Sequence, residues 1–356
     1  MQSKTDMQAQ PPQGTRPLAS PGGTPGSRWR WLAIALVLLL VGWAAFNLPI
    51  PMFYAYQPGP ARDVEELVEV TGERTYSSDG SLYLTTVSVD INVTFAELVS
   101  AGVDPAKAIV SKEEVTGGKS FEYLEKVQLQ EMENSKEQAR VVALTALGYP
   151  EPTGKGAEIV DVEGNAPAGG KLEKGDLITG VNGTEVQTTC DASEFIGGVS
   201  PGEEVELSLL RQGQERTVTL DTAENPMDPD KAYVGVLMTN PDGFKYDPGI
   251  DVEFKTGKIA GPSAGLMFTL ALYDQMTPDD LTSGREIAGT GTIGCGGEVG
   301  PIGGIEQKVA GAEAAGAEVF LAPADNYQAA LGVADDIEVV EIANFDDALA
   351  YLERTK

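Results

Sequence analysis

The chain has 356 residues, 42% of them hydrophobic, with 42 Gly, 22 Pro, 2 Cys and no His, and it sets 25 basic side chains against 54 acidic ones for a formal net charge of −29. The missing histidine excludes Ser-His-Asp and Cys-His catalysis and any His-containing zinc site, and two cysteines cannot form a four-thiolate metal site or a disulfide framework. Charge of this sign does not suit a phosphate backbone, so nucleic acid is not an expected partner, and no metal or cofactor is expected. The length suits two or three compact units.

The charge is unevenly spread. Residues 1–30 carry Lys4, Arg16, Arg28 and Arg30 against Asp6, a net +3; residues 31–56 carry no charge, which leaves −32 on the remainder. The arm from Gln8 to Ser27 is rich in Pro, Gly, Gln and Ser, and residues 1–30 are expected to be a disordered cytoplasmic arm. From Trp31 the sequence is apolar and helix-compatible to Phe46, and residues 31–56 are long enough to cross a bilayer. Trp29, Trp31, Trp43, Tyr54 and Tyr56 would sit at the interfaces. Arg28 and Arg30 place the N-terminal side in the cytoplasm by the positive-inside rule. The lack of a clean small-x-small site after the apolar run favours an uncleaved single-pass anchor over a signal peptide. The lipid bilayer is thus an expected partner, and the bulk of the chain is expected outside the cytoplasm.

Residues 57–150 read as a mixed α+β region of unclear fold. Ser81–Asp90 alternates as a strand should. Ser135–Leu147 places Ala139, Val142, Ala143 and Ala146 on one side of a helix that stops at Gly148-Tyr149-Pro150. No motif in this region carries chemistry.

Residues 151–222 form the next unit. A strand at Gly156–Gly164 precedes the small residues of 165–170, then Gly175-Asp176-Leu177-Ile178 and Val181-Asn182-Gly183. Two alternating strands, Val205–Arg211 and Glu215–Leu220, turn around Gly213. The Gly-Asp-Leu-Ile…Val-Asn-Gly block resembles a PDZ domain of the bacterial protease-associated type, over about seventy residues. That resemblance implies capture of peptide ends as an added strand. By position, Gly154 and Gly156 would lie in the carboxylate-binding loop, and Ala157 and Ile159 on the accepting strand. The polar, Pro-containing stretch 222–230 reads as a linker.

Three blocks in residues 230–356 bear on catalysis. Gly261-Pro262-Ser263-Ala264-Gly265 precedes Leu266–Tyr273, apolar on nearly every face and so a buried helix. Pro262 suits a first helical turn, which puts Ser263 where unpaired N–H groups and the helix dipole favour an oxyanion. Pro301-Ile302-Gly303-Gly304-Ile305 leads into a second helix that ends near Gly316. There Ile305, Val309 and Ala312 mark the apolar face, with Lys308 at its border. A lysine held among apolar groups has a lowered pKa and can serve as a base; otherwise it snorkels. Thr290 could orient such an amine, or be an ordinary strand threonine.

In this order the three blocks resemble the proteolytic domain of the Lon family, from about Tyr233 to Lys356, with Phe320-Leu321-Ala322-Pro323 resembling the strand after the lysine helix. The resemblance implies Ser263 as nucleophile, Lys308 as general base, Thr290 as support for the lysine and an N–H of Ser263 or Ala264 as oxyanion donor; Lys255 and Lys258 do not match. Ala260 stands where many Lon proteases have an acidic residue. Gly164–Lys171 fails the Gly-x4-Gly-Lys-Ser/Thr spacing of a nucleotide-binding loop, so no ATPase module is expected.

The expected architecture is therefore an α+β multidomain chain. It has a single N-terminal transmembrane helix, a PDZ-like β-rich domain and a Lon-type proteolytic α/β domain, like the membrane-anchored PDZ–Lon-type proteins of Gram-positive bacteria. The expected function is ATP-independent endoproteolysis of flexible or unfolded extracytoplasmic proteins. The alternative is a non-enzymatic membrane scaffold that binds peptides. Lon-like domains commonly form rings, which implies a possible homo-oligomer. Cys190 and Cys295 are expected to be unpaired, because a bridge between units needs a contact that sequence does not give.

Overall fold

The computed structural model describes residues 26–356, apart from 227, 242, 243, 245 and 247. The expectation of a disordered arm falls, for residues 1–25, outside the described residues. The chain divides into two compact units, residues up to Leu48 and Pro49–Lys356.

The first unit is a helix, Gly26–Phe46, long and apolar enough over Trp29–Phe46 to cross a membrane. It begins before the expected residue 31 and ends well before 56. Pro49 and Pro51 cannot continue a helix. Phe53–Pro58 is instead the middle strand of a three-stranded antiparallel sheet, between Val87–Asp90 and Ala108–Ser111. Tyr54 is buried there and Tyr56 half-buried, so neither is an interfacial aromatic.

In the second unit, a five-stranded sheet runs in the order Arg62–Asp63, Ser81–Leu84, Glu286–Gly289, Val319–Pro323, Glu338–Ile342. All neighbours are parallel except the first pair. Parallel strands are covered on both faces, and the side-chain alternation shows how. Ile287, Val319 and Leu321 join Leu266, Met267 and Leu270 of the Gly265–Met276 helix in one core. Ala288, Phe320 and Ala322 point the other way and pack with Ile305, Val309 and Ala312 of the Ile305–Ala314 helix. Thus the helix that follows Ser263 and the helix that bears Lys308 cover opposite faces of one sheet.

Residues 57–150, the α+β region of unclear fold, distribute their strands over several sheets of the second unit. The expected strand at 81–90 breaks at Thr85-Thr86: its first half pairs with Glu286–Gly289 in the five-stranded sheet, and its second half with Phe53–Pro58. Val68–Thr71 pairs with Asp251–Phe254. The helix expected from Ser135 begins at Phe121, capped by the Ser120 hydroxyl, and runs to Ala146. It inserts Met132, Ala139, Val142, Ala143 and Leu144 into the core around Leu266 and Phe268.

The PDZ sheet has its own core, with Ile159, Ile178, Val205, Leu207, Leu209 and Leu220 fully buried. The hairpin turns at Gln212-Gly213 as expected, with Arg211 opposite Gln214. The Gly-Asp-Leu-Ile motif earns its carboxylate: buried Asp176 accepts from Arg211 Nε and Nη2, both at 2.7 Å, and from the Glu173 N–H. Beyond the linker expected at 222–230, Ala232–Tyr233 pairs with Ala223–Glu224 and Val236–Thr239 adds an outer strand beside Ala157–Val162.

The cysteines correct the expectation that they are unpaired. Cys190, in the Thr189–Gly197 helix of the PDZ fold, is bonded to Cys295 in the turn after Thr292-Ile293, with Cα atoms 5.4 Å apart. The bond closes a loop with a sequence separation of 105. A cross-link over that length restricts the unfolded chain by up to about 4–5 kcal/mol in the chain-entropy account. The Cys190→Ala, Cys295→Ala double variant is therefore expected to unfold at a clearly lower urea concentration. An unchanged midpoint would show that the bond contributes nothing to stability.

Candidate active site

The site lies at the carboxyl end of the Glu286–Gly289 strand, where open parallel sheets leave room for ligands. Gly261 has φ +91°, a backbone conformation that favours glycine. It swings the chain into a 3-10 turn, Pro262–Ala264, which runs on into the Gly265–Met276 helix. Ser263 is half-buried and Ala264 buried at this start. Their N–H groups belong to a first turn whose donors have no partner within the helix. Gly265 is required for close approach: a Cβ there would come within 2.7 Å of Ile293 Cγ2 and 2.8 Å of the Ile293 nitrogen.

Two backbone bonds lash this turn to the strand end, Gly291 N–H to Ser263 O at 2.9 Å and Leu266 N–H to Gly291 O at 3.1 Å. Thr290 stands between them, 1% exposed, its N–H bonded to Leu321 O. Its hydroxyl donates to Ser263 O at 3.0 Å and accepts from Lys308 Nζ at 2.8 Å. One side chain therefore fixes the lysine amine and the main chain of Ser263 together.

Lys308 sits in the first turn of the Ile305–Ala314 helix and is 3% exposed, so it is buried rather than snorkelling from the face border. Burial pushes its pKa from the ordinary lysine value down to about 7. A charged ammonium loses its hydration there, and burial is the sole cause of the shift, with no carboxylate contributing. The amine can thus be neutral near pH 7 and accept a proton. Among the described residues no hydrogen bond joins the Ser263 hydroxyl to Lys308; such bonds are often long in unliganded sites and tighten with substrate. Among the described residues there is also no group of three or more His, Cys, Asp or Glu able to hold a metal ion.

The sequence reading missed two further supports. Ser135 Oγ donates to Pro262 O at 3.0 Å, and the Gln128 carbonyl accepts from the Gly261 N–H at 2.9 Å. Both come from the Phe121–Ala146 helix, in a region whose sequence carries no motif; a serine on the apolar side of a helix was the only signal.

Of the four residues expected to bind peptide, Gly154, Gly156, Ala157 and Ile159, the last three are placed otherwise. The Gly156 N–H is already bonded to Gln187 O at 3.0 Å, so it is not an open donor for a carboxylate. Ala157 and Ile159 are fully buried. Their strand pairs with Leu177–Val181 on one side and Val236–Thr239 on the other, so it has no free edge to accept a further strand. The outer strand is Val236–Thr239.

Comparison with known proteins matches residues 127–222 to the PDZ domain and residues 233–352 to the Lon protease (S16) C-terminal proteolytic domain. Lon protease 2 of Bacillus subtilis is 35% identical over 106 residues, covering 29% of this chain and 18% of that protein. The Lon protease of Phenylobacterium zucineum is 33% identical over 148 residues, 41% of this chain and 18% of that protein. A probable periplasmic serine endoprotease, DegP-like, of Halomonas elongata is 38% identical over 73 residues, 20% of this chain and 15% of that protein. The chain thus spans less than a fifth of the length of these relatives. Among solved structures, the PDZ domain of the SdrC-like protein of Listeria innocua is 20% identical, with a TM-score of 0.23, over 24% of this chain and 96% of that one. The chain therefore carries a PDZ domain followed by a Lon-type C-terminal proteolytic domain.

Proposed function

We propose that the protein is an ATP-independent serine endopeptidase, anchored by its N-terminal apolar helix, that cleaves flexible or unfolded proteins outside the cytoplasm. The observation that carries this reading is the buried Lys308 amine, with its pKa near 7, tied through Thr290 to the main chain of Ser263. A scaffold has no use for a buried amine that destabilises the fold.

In the proposed reaction the Ser263 hydroxyl turns toward Lys308, which takes its proton as Oγ attacks the peptide carbonyl carbon. The carbonyl oxygen becomes an oxyanion facing the N–H groups of Ser263 and Ala264. As the tetrahedral species collapses, the C–N bond breaks and the Lys308 ammonium gives its proton to the leaving amine. Water then attacks the acyl-enzyme and passes a proton to Lys308, and the ester bond breaks to restore the Ser263 hydroxyl.

The apolar helix fits a membrane anchor or a signal sequence. The Cys190–Cys295 bond supports placing residues 49–356 in an oxidising compartment, since such bonds are rare in the cytosol. Absence of the Gly-x4-Gly-Lys-Ser/Thr motif from this sequence supports independence from ATP. The PDZ domain would present peptide ends, received along the outer edge of Val236–Thr239.

The test is degradation of casein, an unfolded protein, by the full chain in detergent with no nucleotide present. Cleavage that is indifferent to added ATP is expected. Cleavage only with ATP, or only of ester substrates, would contradict the reading.

A further inference from the structure

The Phe121–Ala146 helix touches both the outer PDZ strand and the turn that holds Ser263. Toward the PDZ fold, Asn134 Nδ2 donates to Met238 O at 2.8 Å and Gln130 Nε2 to Thr239 Oγ1 at 3.3 Å. Toward the site, Ser135 Oγ and the Gln128 carbonyl hold Pro262 and Gly261. Positions 130 and 134 are four apart on one helix face; 128 and 135 are seven apart on another. The C-terminal half of the helix is embedded in the protease core, whereas Phe121 and Leu129 near its start are exposed. Both sets of contacts fall in the middle of the helix, at residues 128–135, where the exposed start meets the embedded half.

The bond to Met238 has a particular meaning. The N–H and C=O of Ile159 are bonded to Asp176 and Gly175 on the far side of its strand. Met238 pairs opposite Ile159, so its own N–H and C=O face outward from the sheet. An extended peptide adding to Val236–Thr239 would use that carbonyl, and Asn134 occupies it.

We propose that this helix couples the PDZ strand to the active site: a peptide pairing with Val236–Thr239 displaces Asn134 from the Met238 carbonyl, and the helix then shifts against Gly261–Ser263 and alters turnover. The proposal rests on the reading of Ser263 as nucleophile. Asn134 and Gln130 are positioning residues here, acting through the helix, and Ser135 is the residue through which they act.

The test compares the full-length wild type, the Gln130→Ala, Asn134→Ala double variant and Ser135→Ala, all with the disulfide oxidised. Hydrogen exchange is measured across 259–264, together with the rate at which a fluorophosphonate labels Ser263 and the kcat and KM for a short peptide ester. In the double variant, exchange at Gly261 is expected to accelerate on the order of tenfold. Labelling and kcat are expected to change in parallel with KM held. Exchange across 259–264 equal to that of wild type in the double variant would overturn the coupling, whatever Ser135→Ala does. So would an exchange change spread over the whole PDZ domain, since that reports only loosened packing. If the wild type itself takes no label at Ser263, the nucleophile reading fails, and the exchange result still decides the coupling.

Discussion

Replacing Lys308 by Ala or Arg is expected to slow peptide cleavage by about a hundred- to ten-thousandfold, and replacing Ser263 by Ala to reduce it to background. In the proposed reaction, Ser263→Ala removes the atom that forms the acyl bond. Lys308→Ala leaves the hydroxyl without an acceptor for its proton, because the chain has no histidine and burial of Lys308 brings no carboxylate contribution beside it. Lys308→Arg is the sharper variant. It keeps a long basic side chain but cannot become neutral at any working pH, so it should be as inactive as the alanine form. The measurement is kcat/KM on a short peptide ester, with a circular dichroism spectrum to show that each variant is folded. Retention of more than about a tenth of wild-type activity by Lys308→Arg would remove the lysine from the role of base.

The second large effect is on pH. With a pKa of about 7 in the folded protein, Lys308 is mostly charged at pH 6 and mostly neutral at pH 8. Activity should therefore rise about tenfold between them and level off above. The same shift governs stability, with a definite sign. The unfolded lysine holds its proton to its ordinary pKa of 10.5, so between about 7 and 10.5 the unfolded state binds more protons and stability rises with pH. Below about 7 both states are protonated and the full cost of the buried charge remains, on the order of 4–5 kcal/mol. Lys308→Met keeps the volume and removes that cost, so at pH 7 it should be inactive yet more stable than wild type by a few kcal/mol. A flat activity profile from pH 6 to 8, or a destabilised Lys308→Met, would show that the amine is not held as described.

The legible parts of the sequence were local. Gly261–Gly265 carries its own turn, its own close approach and its own buried helix within a few residues, so its conformation could be read directly. Lys308 was legible as a border position, but its depth depends on Thr290 and on the opposite face of a sheet, neither of which is near it in sequence. What the sequence did not disclose is all long-range. Parallel pairing of Ser81–Leu84 with Glu286–Gly289 leaves no local signature, so residues 57–150 read as a separate region although they complete the protease sheet. The strand Ala157–Val162 alternates as an edge strand would; only the return of Val236–Thr239 from beyond the expected linker shows that its edge is taken. The start of the Phe121–Ala146 helix was missed because residues 121–134 present no clean apolar stripe; good helix formers and the Ser120 cap set its beginning. The Cys190–Cys295 bond joins two elements whose proximity only the tertiary fold creates.

The Ser263–Lys308 pair is tested most directly by mapping, by mass spectrometry, where a fluorophosphonate attaches to the full-length protein, and by following the rate of attachment with pH. A single adduct on Ser263 is expected, formed with a rate that titrates near pH 7 and lost in Lys308→Ala. An adduct on another serine, or one on Ser263 that forms equally fast without the Lys308 amine, would contradict this expectation.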